Sequence, residues 1–129
     1  MYIKERYFEL LNECFNKPPR TVVAYVKHNV FDEYDVDVVS HNNQAFCSVV
    51  EMSDGIYEVG WVVVDPKVQR SGLGRKLLEK VHSKYRGVFI TKAMIEARGF
   101  YEKVGYKSVY DDDKHSIMIF VNDKNCVKI

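Results

Sequence analysis

Six residues, Gln69-Arg70-Ser71-Gly72-Leu73-Gly74, followed directly by Arg75 and Lys76, have the make-up of an anion site. Gly72 and Gly74 let the backbone approach a ligand closely and tolerate positive φ. A helix that starts here leaves its first N–H groups without intrahelical partners, and the positive end of its dipole points the same way. Arg70, Arg75 and Lys76 add full charges, so the turn suits a pyrophosphate. Two common nucleotide-binding patterns are not met. No third glycine completes G-x-G-x-x-G, and none stands far enough ahead of Gly74 for G-x-x-x-x-G-K-[ST]. Other reactive side chains lead elsewhere. Cys14, Cys47 and Cys126 are odd in number and widely separated, which reads as reduced thiols of a cytoplasmic protein. His28, His41, His82 and His115 show no ligand spacing, so no metal is expected.

The elements around the turn set it between a strand and a helix. Val59 to Val64 is a β-branched and aromatic run that ends at Asp65-Pro66. After the turn, Leu73, Leu77, Leu78, Val81 and Tyr85 recur at helical spacing, with Arg75, Lys76, Glu79, Lys80 and Lys84 on the other face. Arg86-Gly87 then turns into a strand over 88–91, and a strand, helix and strand of this length make a right-handed crossover between parallel strands. Upstream, 2–16 reads as a helix with Ile3, Tyr7, Leu10 and Leu11 buried, stopped by Pro18-Pro19. Residues 20–31 fit a second helix through Val22, Val26 and Val30, although Thr21 to Val26 is β-branched enough for a strand. Strands over 34–40, 45–52 and 56–64 form a meander. Downstream come a helix over 94–104 closed by Gly105, a hairpin of 107–110 with 116–121, and a short polar tail or edge strand. Gly99 inside that helix costs roughly 1 kcal/mol against Ala, which a close approach of backbone to ligand explains.

At 129 residues the chain is expected to form one domain, 1–129. No apolar run approaches membrane-spanning length, and a net charge of +1 argues against tight nucleic-acid binding. The charge is split along the chain. From His28 to Pro66 there is no Lys or Arg against eight acidic residues, whereas Lys67 to Lys107 holds eleven basic residues and three acidic ones. A basic half suits phosphates and an acidic half suits a cationic acceptor, with solvated faces as the plain alternative.

Gln69-x-x-Gly72-x-Gly74, placed after VDP at a strand end, resembles the acetyl-CoA motif of the GNAT superfamily of N-acetyltransferases. Ala97-Arg98-Gly99-Phe100-Tyr101-Glu102-Lys103-Val104-Gly105-Tyr106 is similar to that family's A-x-x-(L/F)-Y-E-K-x-G-F segment. The resemblance covers Glu58 to Tyr106. It implies an α/β (α+β) fold: a mixed, mostly antiparallel central sheet flanked by helices, with a splayed parallel strand pair that holds acetyl-CoA as co-substrate. The first strand is short or absent, because little chain precedes the first helix. By the same resemblance, the backbone of Val62, Val63 and Val64 bonds the pantetheine arm, and Gln69, Arg70, Ser71, Gly72, Leu73, Gly74 and Arg75 hold the pyrophosphate. Tyr101 falls at the family's general acid. A phenol is protonated at neutral pH and can donate to a departing thiolate.

Glu58, on the strand leading into the site, is the candidate base, acting through water; an exposed strand-end carboxylate is the alternative. Met94 stands where the family often has Asn, so one cofactor contact is lost or supplied otherwise. These features point to an acyltransferase that moves an acetyl group from acetyl-CoA to a primary amine of a small molecule or peptide, with a homodimer left open. A non-catalytic acyl-CoA-binding or regulatory module of the same fold is the rival. A toxin-like acetyltransferase of aminoacyl-tRNA calls for a more basic acceptor face than this one.

Overall fold

A computed structural model of the protein describes Arg6, Glu9, Leu10 and residues 36–122. The elements are β1 (Val36–His41), β2 (Ala45–Ser53), β3 (Ile56–Val59), β4 (Val63–Val64), α1 (Leu73–Lys84), β5 (Gly87–Met94), α2 (Arg98–Val104), β6 (Lys107–Asp111) and β7 (His115–Asn122). Among the described residues, seven strands form one sheet in the order β1-β2-β3-β5-β7-β6, with β4 joined to β2. Only β3 and β5 pair in parallel; the other pairings are antiparallel.

Local chemistry accounts for these elements. Asn42 and Asn43 both take positive φ, 54° each, and Gln44 N–H donates to the His41 carbonyl at 3.1 Å. That is the tight turn whose twist matches the strands it joins. The predicted stripe of α1 is buried through Leu73, Leu77, Leu78 and Val81, and packs on β1 and β2. Between sheet and helices lies a core that includes Val49, Phe89 and Met118 from the strands, Leu77 and Leu78 from α1 and Tyr101 from α2. Gly105 closes α2 in the left-handed region, its N–H bonding the carbonyls of Tyr101 and Glu102.

The strand expected over 56–64 is interrupted. Between the pairs Phe46↔Val63 and Val49↔Val59, two residues of β2, Cys47 and Ser48, face three, Gly60, Trp61 and Val62. This is a bulge, held by Gly60 N–H donating to the Ser48 carbonyl at 2.8 Å. A Cβ on Gly60 would lie 2.0 Å from Ser48 Oγ, so a larger residue there requires that hydroxyl to turn aside. Strict alternation along the strand therefore fails after Val59, and Val63 is buried against β2. The strand predicted over 88–91 runs on to Met94, and the helix predicted over 94–104 opens with a 3-10 turn, Ile95–Ala97. Of the first predicted helix, Arg6, Glu9 and Leu10 are helical. The rest of it, the short or absent first strand, the element over 20–31 and the final tail lie outside the described residues. No helix among those described is long and apolar enough to cross a membrane.

Candidate active site

The parallel ladder is short: Ile56↔Val88, Tyr57↔Phe89 and Glu58↔Ile90. Beyond it β5 continues to Met94, while the other chain swings through the bulge and returns as β4 beside β2. The strands thus part after Glu58, as the splayed pair was expected to do. Thr91, the next residue of β5, is buried at 2% exposure and its hydroxyl donates to the Val59 carbonyl at 3.1 Å. A side chain takes the place of the next rung.

The Gly-rich turn lies where the chain leaves β4. Arg70 and Gly72 both sit in the left-handed region, at φ 66° and 81°. For Arg70, a residue with a Cβ, that backbone is uncommon and concentrates at ligand clamps. Lys76 N–H donates to the Gly72 carbonyl across the cap at 3.1 Å, and no side chain caps α1. The N–H groups of the first turn thus have neither intrahelical partners nor a side-chain cap. A Cβ on Gly72 would meet nothing within 4 Å, whereas one on Gly74 would lie 3.1 Å from the ring of Phe100. Gln69 Nε2 donates to the Val64 carbonyl at 3.3 Å and the Ser71 hydroxyl donates to the Val68 carbonyl, so both shape the loop from inside. Arg75 pairs with Glu79 at 3.1 Å on the exposed face of α1. Asp65 anchors the strand end, accepting from Lys67 N–H at 3.0 Å and from Arg6 at 2.9 Å.

Tyr101 and Glu58 flank the fork from opposite faces of the sheet. Tyr101 packs in the core with Tyr57, Val59 and Phe89, and is 6% exposed. Burial pushes its phenol up to about 12, raised further by Cys47 and opposed by a hydrogen bond with Thr91. Glu58 pairs with Val50 and Ile90, on the other face by strand alternation, and is exposed. Val62 is half-buried in the bulge, and Val63 and Val64 form β4. Met94, half exposed, ends β5, next to Ile95 whose N–H donates to the Lys114 carbonyl at 2.8 Å.

The acidic runs divide. Asp111 accepts from the Ser108 hydroxyl at 2.6 Å and pairs with Arg98 at 2.8 Å, contacts that hold its carboxyl below the usual range. Asp112 accepts from the N–H groups of His115 and Lys114, with the same effect. Asp37, on β1, takes Lys84 at the end of α1 at 2.6 Å and the Tyr85 hydroxyl. Asp113 is exposed at the hairpin tip. Among the described residues no group of His, Cys, Asp or Glu could hold a metal ion.

A comparison with protein families matches residues 20–108 to the acetyltransferase (GNAT) domain. The chain belongs to the GNAT acetyltransferase family. Solved structures share the fold of this GNAT protein. An aminoglycoside 6'-N-acetyltransferase complexed with coenzyme A has a TM-score of 0.67 at 15% identity over 91% of this chain and 89% of that one. Tetrahymena GCN5 has 0.68 at 18% identity over 88% and 82%. A candidate acetyltransferase from Salmonella typhimurium, solved with its cofactor acetyl-CoA, has 0.58 at 17% identity over 98% and 90%. No match is found among curated proteins.

Two features of this GNAT site were not anticipated from sequence. An isolated glycine in a β-branched run, Gly60, is the signal that points to a bulge. Thr91 has no such signal, since a threonine in a strand is ordinary.

Proposed function

We propose that this protein transfers the acetyl group of acetyl-CoA to a primary amine, with residues 1–129 acting as one domain in a reducing, cytoplasmic setting. The observation that carries the reading is the coincidence of two openings at one end of the sheet: strands that part after Glu58, and an uncapped, glycine-led helix start beside them. The second fits a pyrophosphate, because a Cβ on Gly72 would meet no protein atom, no side chain caps the helix, and first-turn N–H groups lack intrahelical partners. Gln69 to Arg75 hold that group, and Val62, Val63 and Val64 line one wall of the fork for the pantetheine arm.

The amine attacks in a ternary complex. Glu58, through water, takes the proton that the amine sheds, and Tyr101 gives one to the departing sulfur. A backbone N–H near Val62 donates to the carbonyl oxygen as charge builds on it. A phenol held near 12 remains protonated across the physiological range, so the acid is always loaded. The aminoglycoside acetyltransferase among the structural neighbours supports a cationic acceptor, as do Asp113 and the acidic residues Asp32, Glu33 and Asp35 of the chain. Asp37, Asp111 and Asp112 are engaged within the fold by ion pairs and hydrogen bonds.

The burial of Tyr101 favours one rival, a non-catalytic acyl-CoA-binding module. Incubation with acetyl-CoA and a panel of amines, reading free CoA and product mass, separates the two. The expected result is CoA release with a polycationic amine preferred at low salt and the preference reduced at high salt. Binding of acetyl-CoA with no release on any amine selects the module instead.

A further inference from the structure

We propose that Phe100 is a positioning residue for Tyr101: its ring, seated on Gly74, keeps the phenol in register with the anion turn at the start of α1. The inference rests on Tyr101 as the general acid and on that turn as the pyrophosphate site. Two aromatic neighbours flank the Tyr101 ring. Phe100 meets it edge-on at 5.0 Å between centroids and 76°, and Tyr106 at 5.4 Å and 75°. Each neighbour is in turn held by α1. The Tyr106 hydroxyl is bonded to His82 Nε2 at 2.8 Å, and the tip of the Phe100 ring lies against Gly74. Gly74 and His82 are eight residues apart, about 12 Å along the helix. One helix thus holds both flanks of the phenol.

The two holds differ in kind. The one at His82 is a buried hydrogen bond in the last turn of α1. The one at Gly74 is packing alone, and it lies two residues after Gly72. A Cβ on Gly74 would stand 3.1 and 3.2 Å from Phe100 Cζ and Cε1, and 3.6 Å from Val64 Cγ2. The missing Cβ therefore lets β4, the turn and the helix that carries Tyr101 meet at one point. Phe100 is half-buried and otherwise packs on the core. A leucine keeps that packing but lacks the ring-tip atoms that reach Gly74. A rigid ring here sets the distance from turn to phenol, and with it where the thioester of a bound acetyl-CoA meets the acid. A misplacement of about 1 Å at a reacting centre can cost on the order of 100-fold in rate.

Phe100→Leu should lower kcat roughly ten- to hundredfold, with Kd for acetyl-CoA by calorimetry within about twofold of wild type. The turn is intact in this variant and only its register with Tyr101 is lost. In a Tyr101→Phe background the leucine change should cost no further kcat. Gly74→Ala disturbs the same contact from the other side. Alone it crowds the ring and lowers kcat at saturating acetyl-CoA. Joined to Phe100→Leu, which makes room for the methyl, it should recover most of the rate. Packing without positioning predicts lower thermal stability for each variant but wild-type kcat for the folded protein. Should Phe100→Leu not fold, Phe100→Met, which also lacks the ring, is held to the same expectations.

A Tyr101→Phe enzyme at the wild-type rate overturns the general-acid reading and this inference with it. Where Tyr101→Phe is slow, three results overturn the role of Phe100 alone. They are a Phe100→Leu enzyme at the wild-type rate, losses that multiply when it is combined with Tyr101→Phe, and a Gly74→Ala defect that Phe100→Leu does not relieve.

Discussion

Where β3 and β5 begin, Val88 N–H donates to the Gly55 carbonyl at 2.9 Å, and Gly87 lies so close to that carbonyl that a Cβ would sit 2.1 Å from it. Tyr57 packs on Phe89 and Tyr85, with ring centroids 5.3 and 4.9 Å apart, and Asp37 takes both Lys84 and the Tyr85 hydroxyl. Where their shared ladder ends, the chain bulges at Gly60, one threonine bridges the gap, and α1 starts uncapped beside residues with positive φ. Both ends use glycine, carboxylate and tyrosine. At the first, these groups answer one another; at the second, several face an opening. Composition alone does not separate the two ends, but the partner of each group does.

Gly72→Asp tests the open end most severely. Its Cβ meets no protein atom, so the fold should lose only the cost of a side chain in the left-handed region, about 1 kcal/mol. The carboxylate, however, would stand among the first-turn N–H groups of α1. CoA binding by calorimetry should be lost while the thermal transition survives. Affinity equal to wild type would remove this turn from the site.

Gly74→Val should do the reverse. It lies two residues on, inside α1, where the new side chain would run into Phe100 of α2. Overpacking of this kind costs about 1–3 kcal/mol, read as a lower denaturant midpoint. A variant as stable as wild type would mean that α1 and α2 do not depend on this close contact. With both outcomes, one pattern, Gly-x-Gly, would serve a ligand with its first glycine and a helix contact with its second.

That division also marks the reach of sequence reasoning. The stripe from Leu73 to Val81 and the Gly105 stop were legible because each depends on neighbours in the chain. The parallel relation of β3 and β5 followed from the length of the crossover. The bulge was only half legible: Gly60 signals it, but its closure depends on Ser48 from another strand. The partners of single carboxylates were hidden for a similar reason. Whether Asp37, Asp111 and Asp112 face a substrate or an internal partner is decided by Lys84, Arg98 and backbone N–H groups that the fold brings to them.

The closed side carries a pH signature. His82 of α1 is buried, stacked on Phe120 at 3.9 Å and bonded through Nε2 to the Tyr106 hydroxyl. Burial lowers its pKa from the ordinary 6.5 to about 4. As pH falls through 6.5 the unfolded chain takes up a proton that the folded chain refuses until about pH 4. The stabilisation is therefore full above 6.5 and declines between 6.5 and 4. Denaturant midpoints between pH 7 and 5, where carboxylates titrate little, should fall for wild type and much less for His82→Gln. Equal slopes for the two proteins would mean that His82 is not held neutral.

Gly99→Ala gives the smallest expected change and the sharpest sign. Gly99 lies in α2, two residues before Tyr101 and next to Phe100, whose ring packs on Gly74 at the start of α1. Its φ is outside the left-handed region and a Cβ there would meet nothing within 4 Å, so the apo fold has no need of glycine. Alanine in a helix is better by roughly 0.5–1 kcal/mol, partly through a less disordered unfolded chain. The variant should therefore melt a few degrees higher. If the CoA arm crosses this empty space, the added methyl must also weaken CoA binding, by several-fold rather than completely. A protein that is both more stable and poorer at binding would show that stability is given up here for access. Higher stability with unchanged affinity would place the CoA arm elsewhere and leave the glycine without a role in either end of the fork.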